Sequence, residues 1–97
     1  MDIQTESLVQ ELTKRGYHIA TAESCTGGLL AAGIVDISGA SAVFEEGYIT
    51  YSDRVKEKNL SVRKESLERY TAVSEEVAEE MAEGAAKAAG TEVSLSV

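Results

Sequence analysis

The chain has 97 residues, the length of one small domain. It holds 9 Lys and Arg against 17 Asp and Glu, and the resulting net charge of −8 argues against nucleic acid or an anionic membrane held through a basic patch. Apolar residues make up 43% and charged residues 27%, a globular and not a disordered composition, and no apolar run reaches the ~18–20 residues of a membrane span. With 5% aromatic residues and no Trp, the core must be built from small aliphatic groups. The lone Cys25 excludes an internal disulfide and a multi-Cys zinc site, and it fits a reducing, cytoplasmic setting. The first residues, Met1-Asp2-Ile3-Gln4, lack a signal-peptide pattern, and without repeats or linkers residues 1–97 read as a single folding unit.

The chain opens with a helix over residues 2–15. Ile3, Leu8, Val9 and Leu12 share a face, and Lys14-Arg15 close the last turn before Gly16. Residues 17–22 form a short strand. A polar turn, Glu23-Ser24-Cys25-Thr26-Gly27-Gly28, follows and leads into an apolar helix over 29–35. After a loop around Gly39, Ser41 is placed to cap a helical turn over 42–45. Tyr48-Ile49-Thr50-Tyr51 are strong strand formers. Ser52 or Asp53 caps a helix to about Leu60, and a second short helix covers 64–70. Ser74 caps a longer helix over 75–89, with Val77, Met81, Ala85 and Ala88 at helical spacing and Gly90 as its stop. Residues 92–97 alternate as a strand, with Val93, Leu95 and Val97 on one side. Strands separated by helices predict a small, three-layer-like α/β domain with a parallel or mixed sheet. Such sheets place ligands at the carboxyl ends of strands, where the polar clusters at 23–28 and 50–56 fall.

Three clusters carry the chemistry. Ser24-Cys25-Thr26-Gly27-Gly28 sits where a helix begins, so its N–H groups suit an anion or oxyanion, although no Lys follows as in a P-loop. It reads equally as a tight strand-to-helix turn. Gly39-Ala40-Ser41-Ala42-Val43-Phe44 places a serine among free N–H donors, either as a simple cap or as a nucleophile beside an oxyanion hole. In Tyr51-Ser52-Asp53-Arg54-Val55-Lys56, Ser52 and Lys56 share a helix face. A lysine buried in an apolar pocket releases its proton more readily and can then serve as a base, whereas a solvated one cannot. His18 has no second His, so a metal site is not expected, and the Glu75, Glu76, Glu79, Glu80 and Glu83 face reads as solvated or as meeting a basic partner.

In this order, the clusters resemble the C-terminal domain of the competence/damage-inducible CinA proteins. The run Thr21-Ala22-Glu23-Ser24-Cys25-Thr26-Gly27-Gly28 is the most specific part. Gly39–Phe44, Gly47-Tyr48-Ile49-Thr50-Tyr51-Ser52, Lys56, Ala72-Val73-Ser74-Glu75-Glu76-Val77 and Met81-Ala82-Glu83-Gly84-Ala85 also match. The stand-alone members of that family are nicotinamide mononucleotide deamidases. The resemblance therefore implies an amidase that converts nicotinamide mononucleotide to nicotinate mononucleotide and ammonia by serine/lysine chemistry, without a cofactor or metal. Carried over, it makes Ser41 the nucleophile and Lys56 the general base, with Tyr51 orienting the proton. Ser24 is the alternative nucleophile. Ser24, Thr26, Gly27 and Gly28 would form the anion-binding turn, and Arg54 or that turn would bind the substrate's phosphate. Family members continue past residues 92–97 into a Gly- and Pro-rich loop and further strands. The chain is accordingly expected to be the N-terminal portion of the domain, with a sheet incomplete at its C-terminal side. An open sheet edge favours a homo-oligomer. The alternative to the amidase is a non-catalytic nucleotide-binding or assembly module.

Overall fold

The computed structural model describes residues 3–97. In chain order its elements are α1 (Ile3–Arg15), β1 (Ile19–Glu23), α2 (Leu29–Val35), a 3-10 turn (Ala40–Ala42), β2 (Phe44–Ile49), α3 (Asp53–Leu60), α4 (Lys64–Tyr70), α5 (Glu75–Ala89) and β3 (Val93–Ser96). The expected first residue of the opening helix, Asp2, lies outside the described residues. The strands form one parallel sheet in the order β2-β1-β3. Helices join parallel strands because the chain must return to the same end of the sheet before the next strand begins.

β1 is central and buried along its whole length. Its alternation feeds two cores. Ile19 joins Val9, Leu12, Ile34, Ile37, Ala40 and Val43 on the side of α1 and α2. Ala20 and Ala22 join Leu60, Val62, Leu67, Val77, Met81 and Ala85 on the side of α3, α4 and α5. The result is a three-layer α/β arrangement with a parallel sheet in the middle. Small residues set the spacing. Ala20 and Ala22 let α5 lie close to the sheet, and the hydroxyls of Ser94 and Ser96 on β3 donate to the carbonyls of Ala82 and Ala78 on α5 at 2.7 and 2.6 Å. The serine side of β3 is thus the one packed on a helix, while Leu95 and Val97 stay partly exposed. Among the described residues, no helix is long and apolar enough to cross a membrane.

The second strand begins earlier than expected. Residues 42–45 were expected to form a helical turn capped by Ser41, with the strand over 48–51. The turn instead covers Ala40–Ala42, and its cap is Gly39, whose φ of 88° suits glycine. Ser41 lies inside the turn and its side chain caps nothing. Tertiary pairing decides the register: the Ile19 N–H donates to the Val43 carbonyl at 2.8 Å, and Phe44 pairs with Ile19. A bulge after Ile19 then brings Ala20 opposite Glu46. Glu45 and Glu46 are tolerated because β2 is an edge strand exposed to water.

α3 crosses α5 at a point that requires glycine. A Cβ built on Gly84 would overlap the backbone carbonyl of Leu60. Gly84→Ala is therefore expected to destabilise the fold by about 1–3 kcal/mol, the usual cost of overpacking. Urea denaturation checks this, and a midpoint unchanged from the parent would show that the two helices can separate freely.

Candidate active site

The carboxyl ends of β1 and β2 bring the polar residues together. β1 ends in Glu23, whose side chain is 1% exposed. Its carboxylate accepts the Thr26 hydroxyl at 2.6 Å, the Leu30 N–H at 2.7 Å and the Ala31 N–H at 3.0 Å. The last two are free donors at the start of α2. Burial pushes this carboxyl upward, but hydrogen bonds from Thr26, Ala31, Leu30 and Gly28 together outweigh burial and hold it below its ordinary 4.5. Gly27 and Gly28, with φ of 64° and 119°, fold the turn back over this carboxylate. A Cβ on Gly28 would also press on Ile49 at 3.3 Å.

Ser24 follows directly. Its N–H donates to the Val97 carbonyl at 2.8 Å, which extends the β1–β3 pairing and fixes the residue at the sheet's edge. Lys56 reaches it from the second turn of α3. Ser52 starts that helix by accepting the Val55 N–H, so the helix register turns Lys56 inward and not toward the Ser52 side chain. Lys56 is 0% exposed, and its Nζ donates to Ser24 Oγ at 3.1 Å and to the Tyr51 carbonyl at 3.0 Å. Asp53 Oδ1 stands 4.0 Å from the same Nζ. A buried lysine costs free energy unless such partners surround it.

Other expected site residues fall elsewhere. Ser41 does not approach Lys56: it precedes β2, at the amino end of the sheet, so about 16 Å of strand separates the two levels. Tyr51 is 76% exposed, and it is its carbonyl, not its phenol, that meets Lys56. Thr26, Gly27 and Gly28 do form an anion-binding turn, but the anion it holds is the chain's own Glu23. That turn's donors at Leu30 and Ala31 are therefore already taken. Arg54 is exposed in the first turn of α3. Sequence reasoning missed Glu23 as the anchor of the turn, and Asp53 as a neighbour of the lysine. An acidic residue next to a glycine turn that opens a helix is the signal for the first.

Beside Ser24 opens a cleft of about 430 Å³. Cys25, Ala72, Val73, Ser74 and Glu75 line it with Ser24, and Ala78, Met81 and Val97 complete a mainly apolar wall. A serine hydroxyl in contact with a buried lysine, at the mouth of such a cleft, is an arrangement from which nucleophilic chemistry can be built.

The fold and this cluster define a three-layer α/β domain with its polar residues at the carboxyl edge of a parallel sheet. The chain belongs to the CinA C-terminal domain family, whose model matches residues 2–97. It is 57% identical over 96 residues to a putative competence-damage inducible protein of Clostridium botulinum strain Kyoto, covering 94% of this chain and 24% of that protein. A CinA-like protein of Kosmotoga olearia is 55% identical over 92 residues, covering 95% of this chain and 22% of that protein. The chain thus spans about a quarter of the length of these curated relatives. Among solved structures, it is similar to a competence-damaged protein (CinA) superfamily protein from Escherichia coli, with a TM-score of 0.92 and 44% identity over 95% of this chain and 54% of that one. A competence/damage inducible protein from Agrobacterium tumefaciens matches with a TM-score of 0.87 and 35% identity, over 95% of this chain and 56% of that one.

Proposed function

We propose that the chain hydrolyses the carboxamide of nicotinamide mononucleotide to nicotinate mononucleotide and ammonia, with Ser24 as nucleophile and Lys56 as its general base. The observation that carries this reading is the 3.1 Å contact between Ser24 Oγ and the fully buried Lys56 Nζ. The substrate comes from the family resemblance, supported by the apolar cleft that adjoins the same serine.

In this reading Lys56 Nζ takes the proton of the Ser24 hydroxyl. Ser24 Oγ bonds to the amide carbon, and the amide oxygen takes up the negative charge of the tetrahedral intermediate. The carbon–nitrogen bond then breaks, and Lys56 hands its proton to the departing ammonia. Water adds to the resulting ester, gives a proton to Lys56, and frees the carboxylate; Lys56 returns that proton to Ser24 Oγ. The assignment moves the nucleophile from Ser41 to Ser24, since a proton is transferred only across hydrogen-bond distance.

The test is release of ammonia and nicotinate mononucleotide from nicotinamide mononucleotide by the purified, folded chain. Turnover is the expected result. A folded chain that binds the nucleotide without turnover would overturn the amidase reading in favour of a binding or assembly module.

A further inference from the structure

Among the described residues, two buried side-chain oxygens have no hydrogen-bond partner, Thr21 Oγ1 and Thr50 Oγ1. Both residues are fully buried. A hydroxyl shut away from water without a partner costs free energy, so it calls for a reason. The two stand on opposite faces of the sheet. A Cβ on Gly47 would come within 2.9 Å of Thr21 Oγ1 and 3.6 Å of the Ala31 Cβ, which puts the Thr21 hydroxyl under α2. Thr50 belongs to the other face. Ala22 pairs with Tyr48, and both pack in the core on the α5 side. Glu23 pairs with Ile49, and the Thr50 N–H donates to the Glu23 carbonyl at 2.8 Å. The same register sets Thr50 opposite Ser24, and alternation turns both toward the side from which Lys56 arrives. The next residue, Tyr51, gives its carbonyl to Lys56 Nζ.

We propose that Thr50 is a positioning residue for the Ser24–Lys56 pair, its hydroxyl accepting the third N–H of Lys56 once Nζ holds the serine's proton. The effect on rate rests on the amidase reading; the pairing of the two side chains does not. When the proton passes from Ser24 Oγ to Nζ and Oγ bonds to the amide carbon, Nζ carries three N–H groups. The Tyr51 carbonyl takes one, and a second stays turned toward the departing nitrogen. The third sits in a fully buried place and needs an acceptor. Asp53 Oδ1, at 4.0 Å, is beyond hydrogen-bond reach, whereas Thr50 Oγ1 is an acceptor with nothing else to serve.

Thr21 supplies the control, since Thr21→Val removes an equally buried and unpartnered hydroxyl from the other face. Valine keeps the shape of threonine, and loss of an orphan hydroxyl does not lower stability, so the urea midpoints of Thr50→Val and Thr21→Val are expected at or above the parent's. With nicotinamide mononucleotide as substrate, Thr50→Val lowers kcat about tenfold and leaves KM unchanged, the scale of one hydrogen bond to a charged group. Thr50→Ser restores the rate, and Thr21→Val keeps it. The second measurement needs no turnover: in the parent, the Lys56 Hε protons show a nuclear Overhauser contact with the Thr50 methyl group and none with the Thr21 methyl group. A chain that shows this contact but releases no ammonia would sink the amidase reading and leave Thr50 as the partner of Lys56. Absence of the contact, a parental kcat in Thr50→Val of an active chain, or an equal loss in Thr21→Val would overturn the proposal.

Discussion

Lys56→Met abolishes ammonia release from nicotinamide mononucleotide, with an expected loss of about 10²–10⁴-fold, the contribution of a positioned general base. Methionine is the informative replacement because it fills nearly the same volume. Lys56 is fully buried, so Lys56→Ala would also leave a cavity and confuse lost chemistry with lost packing. The methionine variant loses the amine that meets Ser24 Oγ and the Tyr51 carbonyl while keeping the stem in place. Lys56→Arg does not rescue activity, since a guanidinium stays protonated and cannot accept the serine's proton. Initial rates, measured beside the urea midpoint of each variant, check both statements. A Lys56→Met chain that keeps the parental rate would remove Lys56 from the chemistry.

Glu23→Ala is expected to cost about 3–5 kcal/mol, a large part of the roughly 5–15 kcal/mol available to a small domain. The carboxylate satisfies the Thr26 hydroxyl and the N–H groups of Leu30 and Ala31, and alanine leaves all three without this acceptor. Glu23→Gln is milder, but it turns an amide N–H toward donors that need an acceptor. The same carboxylate predicts a pH dependence. Its folded pKa lies below the ordinary 4.5, so its stabilisation is fully present above that value and is lost as pH falls through the folded pKa. Glu11, Glu80 and Glu92 are also held low, so the parent curve alone does not isolate Glu23. The difference between parent and Glu23→Gln does: the variant's urea midpoint should fall less steeply between about pH 5 and pH 3. Parallel curves would show that the turn does not depend on this charge.

Much of the fold could be read locally. Helices with a cap at one end, such as those begun by Ser52 and Ser74, appear where their side chains accept the Val55 and Val77 N–H groups. The glycine stop at Gly90 adopts the expected left-handed conformation. The start of β2 could not be read in this way, because Phe44-Glu45-Glu46 has no strand pattern of its own. It is a strand because β1 offers it hydrogen bonds. The site shows the same limit. The residue types were legible: Ser24, Lys56 and the glycine turn all stood out. Their pairing was not, because Ser24 and Lys56 are 32 positions apart and meet only in the tertiary fold. Ser41 is the first choice of nucleophile from the sequence, with Ser24 the alternative, since the distance of Ser41 from Lys56 is set by the direction of β2, which spacing alone does not reveal. The glycine turn was expected to hold a substrate anion, whereas the carboxylate it surrounds is one of the motif's own residues, Glu23.

The most direct test of the account compares Ser24→Ala with Ser41→Ala, both folded, in ammonia release from nicotinamide mononucleotide. Ser24→Ala is expected to be inactive and Ser41→Ala to keep the parental rate, because of the two serines Ser24 is the one hydrogen-bonded to Lys56. An active Ser24→Ala chain, or an inactive Ser41→Ala chain of unchanged stability, would contradict this expectation.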